Sequence, residues 1–210
     1  MGTNNYEEIF LYGASGHAKV IIDLIEKKNV QTIRFLIDDN ESLHNAFLNG
    51  YPITGGKDAL PKFPEIRKAF VSIGENKTRE SIAHWLIEGG YSLATLVDPQ
   101  ACVSSRATLG LGTAVMVGAV INSNSHIGNN VIVNTNATID HDCSIKSGVH
   151  IAPGVTICGG VEIEKGALIG AGSTVIPNVK IGANALIGAG TVVYKDVPAG
   201  TRITGIRNRW

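Results

Sequence analysis

The residues best placed to do chemistry are five in a row, Ile139-Asp140-His141-Asp142-Cys143. They set one imidazole between two carboxylates. Histidine is the natural general base near neutral pH, and a neighbouring carboxylate can fix its tautomer and raise its basicity. The chemistry implied is removal of a proton from an attacking nucleophile. His126 and His150 lack flanking acids, so each stands equally well as a base or as a solvated surface imidazole. Cys143 could in principle attack as a thiolate, but small core cysteines are common, and Cys158 and Cys102 have less to recommend them.

What must position these residues is a repeat. From Ala101 to Asp196 the chain divides into sixteen hexads without a slip, among them ATIDHD, VHIAPG and ALIGAG. Every third place is Val, Ile or Leu, from Val103 and Leu109 through Ile139, Ile145 and Ile151 to Val193. Gly and Asn recur at the fourth and sixth places, where a turning chain needs residues that tolerate positive φ. A period of six fits neither an α-helix nor a free alternating strand; it fits short strands joined by tight turns and stacked as a solenoid. One aliphatic side chain per hexad points inward and stacks into ladders. His141 occupies the fifth place of its hexad, an outward or corner position, and His126 and His150 occupy outward second places.

The 210 residues and the change of composition near residue 98 predict two domains, 1–98 and 99–210. Eighteen basic residues balance eighteen acidic ones, which gives a nucleic-acid or membrane-surface partner no electrostatic support. Apolar runs are strand-sized and span no bilayer. The polar start MGTNNYEE lacks the basic and apolar regions of a signal peptide. Three cysteines without metal-ligand spacing suit a reducing cytoplasm and predict no metal.

The first domain opens with strand Glu7 to Gly13, the turn GASGHAK and a helix from about Ala18 to Lys28. The strand TIRFLIDD ends in Asp38 and Asp39. A loop-rich stretch, 40–65, precedes strand Ala69 to Ile73, a Gly74-Glu75-Asn76 turn, a helix from about Lys77 to Glu88 and a last strand SLATLVD. Strand, glycine turn and helix make a nucleotide-binding opening. Gly13 and Gly16 do not have the spacing of the dinucleotide fingerprint, so NAD is disfavoured while phosphate or sugar binding stays open. In a small parallel α/β sheet, ligands bind at the carboxyl ends of the strands. This predicts a substrate site of Gly13, Ser15, Gly16, His17, Asp38, Asp39, Gly74 and Asn76.

The joint occurrence of GASGHAK, IDD, IGENKTR and a hexapeptide solenoid resembles, over nearly the whole chain, the hexapeptide-repeat sugar acetyltransferases of the sialic-acid O-acetyltransferase and bacillosamine N-acetyltransferase type. The resemblance implies a Rossmann-like N-terminal domain for a nucleotide-linked amino sugar, followed by a left-handed parallel β-helix. Three hexads per triangular coil would give roughly five coils, about 25 Å tall at strand spacing. It also implies a cytoplasmic homotrimer using acetyl-CoA, with active sites between chains. The family's motif of a His, an acid and a Cys falls on His141, Asp142 and Cys143, making His141 the base and Asp142 its partner; Asn134, His150, Gly159, Ala171 and Ala189 fall on the acetyl-CoA side, with a Gly159 N–H facing the thioester carbonyl. After ITG the chain departs from the family, continuing Gly205-Ile206-Arg207-Asn208-Arg209-Trp210; Arg202, Arg207 and Arg209 read equally as contacts for a CoA phosphate or as an ordinary basic tail. Acetyl transfer to an amine of a 4-amino-4,6-dideoxyhexose leads; O-acetylation of a sialic-acid type sugar and a non-catalytic nucleotide-sugar-binding protein are the alternatives.

Overall fold

The computed structural model describes residues 6–204; Gly205–Trp210, with Arg207 and Arg209, lie outside the described residues. The chain forms two compact units that divide between Asp98 and Pro99.

In the N-terminal unit the elements run β1 (Glu7–Tyr12), α1 (Gly16–Lys28), β2 (Gln31–Ile37), a small hairpin of β3 (Phe47–Leu48) and β4 (Tyr51–Pro52), β5 (Lys68–Val71), α2 (Asn76–Glu88) and β6 (Ser92–Leu93). Strands β2, β1, β5 and β6 lie side by side in that order, all parallel. Residues Ile9, Phe10, Leu11 and Tyr12 are all buried, as a central parallel strand covered on both faces requires. Helix α1 buries Ala18, Ile21, Ile22, Leu24 and Ile25 and stops at Asn29, whose left-handed conformation closes the last turn. Helix α2 packs Ile82, Ala83 and Leu86 into a cluster with Phe10, Phe35 and Leu93.

Both helices begin earlier than the sequence pattern suggests. For α2 the cause is Glu75, whose carboxylate accepts from the N–H groups of Lys77 (3.1 Å) and Thr78 (2.7 Å) and caps the helix ahead of Asn76. The predicted strand SLATLVD is broken into Ser92–Leu93 and Leu96–Val97, and only the first joins the four-stranded sheet. The strand order places the topological switch between β1 and β5, where the crevice of an open α/β sheet opens.

The second unit is a parallel β-helix. Each hexad contributes a two-residue strand, and each strand pairs in parallel with the one eighteen residues on, as Thr138–Ile139 does with Thr156–Ile157. The strands stack into three faces. The first carries Cys102–Val103 to Val192–Val193 and the second Thr108–Leu109 to Lys180–Ile181; the third includes Ala114–Val115 to Arg202–Ile203. Ile121, Ile139, Ile145, Ile157 and Ile163 are at most 1% exposed, the aliphatic ladder expected. Every sixth place from Gly112 to Gly190 has positive φ, and only Gly, Asn and Asp142 hold these corners.

No residue is inserted between Ala101 and Asp196, and the register of eighteen holds as far as Val193. The next coil closes with two residues fewer: Leu186 pairs with Arg202 and Ile181 bridges Val197. The strand Arg202–Ile203 therefore extends the solenoid to about six turns, one more than the hexad count alone implies.

Candidate active site

His141 stands at the corner between the first and second faces, between strands Thr138–Ile139 and Ser144–Ile145. Its Nδ1 lies 2.8 Å from Asp142 Oδ2. An ionised carboxylate can only accept, so Nδ1 carries the proton and Nε2 keeps its lone pair. The Asp142 hydrogen bond raises the imidazole pKa, with help from the charge of Asp140. Asp142 is lowered in return, first by His141 and then by Asn124.

The coil below supports both acids. Asn122 donates to Asp140 Oδ1 (3.0 Å) and Asn124 to Asp142 Oδ1 (3.3 Å), each from a position eighteen residues earlier. Asp140 Oδ1 also accepts from the His141 N–H at 2.8 Å, and its pKa is lowered chiefly by Asn122. Beneath the corner, the buried Ser125 hydroxyl donates to the Asp140 carbonyl (2.5 Å) and accepts from the Cys143 N–H (3.1 Å). These three residues were missed in the sequence, although adding eighteen to each position would have found them all beside the dyad.

On the coil above lies Gly159. A Cβ built there would sit 2.7 Å from His141 Cε1 and 2.8 Å from Nε2, so only glycine lets the ring lie where it does. The Gly159 N–H makes no hydrogen bond among the described residues. His141, Asp142, Cys158, Gly159, Pro177 and Asn178 line a recess of about 360 Å³. A slightly larger recess, about 400 Å³, opens at the last coil between Val192, Tyr194, Lys195 and Ile203, but its lining holds no histidine.

Cys143 is buried, its Sγ 3.2 Å from the Cys158 carbonyl oxygen. Burial pushes its thiol pKa up, which works against a thiolate nucleophile. His126 is exposed on the second face with Nδ1 2.9 Å from Thr108 Oγ1.

The remaining predicted residues are distributed unevenly. His150 belongs to the third face, in strand His150–Ile151, which stacks on Ile132–Val133. Nine residues are half an eighteen-residue coil, so within one chain His150 lies on the side of the prism opposite the corner of His141. Asn134 joins His150 through Nδ2 and Nε2 at 3.2 Å, its own Oδ1 held by the Thr135 N–H. Ala171 and Ala189 are exposed, one coil apart, at the corner following the third face. Of the predicted acetyl-CoA set, only Gly159 shares a corner with His141.

In the N-terminal unit the turn after β1 and the segment after β5 meet at the switch point. Ser72 Oγ donates to the Gly13 carbonyl at 2.6 Å, and Gly13, at φ +107, leaves no room for a Cβ beside Ile73. Asp38 clamps two loops, Oδ2 accepting from the Ala14 N–H (2.8 Å) and Oδ1 from the Asn40 N–H (2.9 Å). Asp39 accepts from the Tyr12 hydroxyl at 2.7 Å and lies 3.8 Å from Lys57 Nζ. Burial, then the bond to Asp39, raises the phenol pKa strongly. Ser15 precedes α1 without a side-chain capping bond. Gly16 and Gly74 face open space. Asn76 is buried, and its Oδ1 accepts from Arg79 Nη2 at 2.9 Å. Arg79, which closes the IGENKTR motif but is not in the predicted site, is 1% exposed.

Parallel sheet, hexapeptide prism and carboxylate-oriented histidine define a two-part transferase. Residues 8–86 match the family described as the PglD N-terminal domain, and residues 124–159, 142–176 and 160–195 match the bacterial transferase hexapeptide family of six repeats. A His-to-Asn variant of perosamine N-acetyltransferase from Caulobacter crescentus, solved with CoA and GDP-perosamine, superposes with a TM-score of 0.90 at 36% identity, covering 94% of this chain and 93% of that one. The acetyltransferase domain of PglB from Neisseria gonorrhoeae, solved with acetyl coenzyme A, gives 0.88 at 32% identity over 96% and 97%. A UDP-N-acetylbacillosamine N-acetyltransferase of Bacillus subtilis (strain 168) is 33% identical over 116 residues, which span 52% of this chain and 51% of that protein. The chain belongs to the hexapeptide-repeat sugar acetyltransferases with a PglD-type N-terminal domain, and its solenoid is the left-handed β-helix of that family.

Proposed function

We propose that this protein is an acetyl-CoA-dependent N-acetyltransferase acting on a nucleotide-linked amino sugar, of the 4-amino-4,6-dideoxyhexose class, in the cytoplasm for surface glycan or glycoprotein biosynthesis. The observation that carries this reading is the His141–Asp142 pair at 2.8 Å, held against Gly159 in an open recess. The solved relatives support the substrate class, one being a perosamine N-acetyltransferase with CoA and GDP-perosamine bound and another an acetyltransferase domain with acetyl coenzyme A bound.

In the proposed reaction the thioester is already activated, so the neutral sugar amine attacks its carbonyl directly. The Gly159 N–H donates to the oxyanion. His141 Nε2 takes the proton of the tetrahedral intermediate, Asp142 stabilises the imidazolium, and collapse expels the CoA thiolate, to which the imidazolium returns the proton. The crevice between β1 and β5 holds the nucleotide end, with Ser15, Gly16, His17, Asp38, Asp39, Gly74 and Asn76 around it. Metal takes no part in this scheme.

His150 and Asn134 would hold acetyl-CoA together with Ala171 and Ala189, and they can serve the same thioester as His141 only if a second copy supplies them. Above His150 on the third face the stacked side chains Leu168 and Leu186 are apolar and partly exposed, which supports a homotrimer with active sites between chains. The experiment is a thiol-release assay with acetyl-CoA against UDP-, GDP-, dTDP- and CMP-linked sugars. Turnover of an amino sugar but not of its hydroxyl counterpart is expected, and turnover of the hydroxyl sugar alone would replace N- by O-acetylation.

A further inference from the structure

Arg79 lies in the first turn of α2 with its guanidinium folded back under the segment that precedes the helix. Nη1 donates to the carbonyls of Gly74 (2.9 Å) and Ile73 (3.3 Å), and Nη2 donates to Asn76 Oδ1 (2.9 Å). One buried cation therefore gathers three oxygen acceptors of the loop 73–76 onto its inner side. In a planar trans peptide the C=O and N–H point in opposite directions. The N–H of Gly74 shares its peptide with the Ile73 carbonyl, and that of Glu75 shares its peptide with the Gly74 carbonyl. Both must then point away from Arg79. Neither is taken by a hydrogen bond among the described residues. The loop is open beside them, since a Cβ at Gly74 would find no atom within 4 Å, and Ser72, just before it, ties this wall of the crevice to Gly13.

We infer that Arg79 is a positioning residue for the nucleotide-linked substrate: by holding the carbonyls of residues 73 and 74 inward it presents the Gly74 and Glu75 N–H groups to the diphosphate of the ligand. This rests on the nucleotide-sugar reading above and deepens it. Burial brings the guanidinium pKa down only to about 10, so it stays charged at neutral pH. A fork of fixed N–H directions can span two carbonyls and an amide oxygen, whereas an ammonium cannot reproduce that geometry.

The test is calorimetric titration of the full chain with UDP, GDP and dTDP, beside KM for acetyl-CoA and for the turned-over nucleotide sugar. Arg79→Met should weaken the preferred nucleoside diphosphate by about tenfold to a hundredfold, the scale of hydrogen bonds to a charged group, and leave KM for acetyl-CoA unchanged. Arg79→Lys should recover only part of this. Gly74→Ala, which meets no neighbour, should melt with the wild type yet lose nucleotide, because its methyl fills the ligand's side. Nucleotide affinity unchanged in Arg79→Met, or KM raised equally for both substrates, overturns the inference and leaves the proposed function standing. Should Arg79→Met fail to fold, wild-type nucleotide affinity in Gly74→Ala overturns it instead. A wild type that binds none of the three diphosphates overturns both the inference and the nucleotide half of the proposed function, while thiol release with a free amino sugar would still uphold acetyl transfer.

Discussion

Gly159 sits one coil above His141, and a methyl group on it would stand 2.7 Å from the imidazole Cε1 and 2.8 Å from Nε2. Its φ is outside the left-handed region, so alanine is acceptable to the backbone and intolerable to the ring. Gly159→Ala should fold with near-native thermal stability while kcat falls about a hundredfold, the cost of displacing a catalytic group by about an ångström. Steady-state kinetics beside a melting curve checks it, and an unchanged kcat would remove Gly159 from the site.

His141→Ala should lose on the order of 10²–10⁴ in kcat, the scale of general-base contributions, with acetyl-CoA affinity little altered. If near-native kcat survived in His141→Ala while Cys143→Ala was inactive, direct attack would give way to a thiol route.

Asp142 occupies a corner at φ +57, where Asn124, Asn136 and Asn178 stand elsewhere in the solenoid. Asp142→Asn is therefore neutral to the fold and removes the charge together with the acceptor that fixes the imidazole tautomer. Asp142 raises the His141 pKa, and the base works deprotonated, so activity is lost as pH falls through that raised value. Removing the carboxylate should lower kcat by less than His141→Ala does and move the acid limb of kcat/KM to lower pH. A limb that stays put or moves upward contradicts the assignment.

Because His141 and His150 lie half a coil apart, the proposed site, with His150 on acetyl-CoA, would need two chains. Light scattering should give a mass near three times 22.1 kDa. Co-expressed His141→Ala and His150→Ala chains should regain part of the activity that each lacks at limiting acetyl-CoA, since a mixed assembly contains some interfaces with both histidines. A mass near one chain, or no complementation, would count against the shared site.

The ladder residue Ile157 is fully buried, and Ile157→Ala should cost about 2–5 kcal/mol through the cavity it leaves. Denaturant unfolding at fixed protein concentration measures this, and a change below about 1 kcal/mol would mean that the coil collapses onto the gap.

The solenoid was legible in the chain because its forces are local and repeated. Each hexad carries one aliphatic side chain for the ladder, such as Ile139 or Ile157, and one corner residue that accepts positive φ, such as Asn124 or Gly160. The His141–Asp142 pair was legible for the same reason, since its partners are consecutive. What the hexad pattern did not single out was which side chains the stacking of coils, and the path of the chain through the sheet, bring together. Asn122, Asn124 and Ser125 reach the dyad because stacking brings residues eighteen positions apart into contact. The two-residue contraction that seats Arg202–Ile203 breaks the hexad frame, so counting in sixes stopped a turn short. Arg79 resembles any basic residue on a helix until the fold buries it under the Gly74 loop. His150 looked near His141 in sequence, yet half a coil of a three-sided prism carries the chain to the opposite side, and only tertiary structure decides that distance.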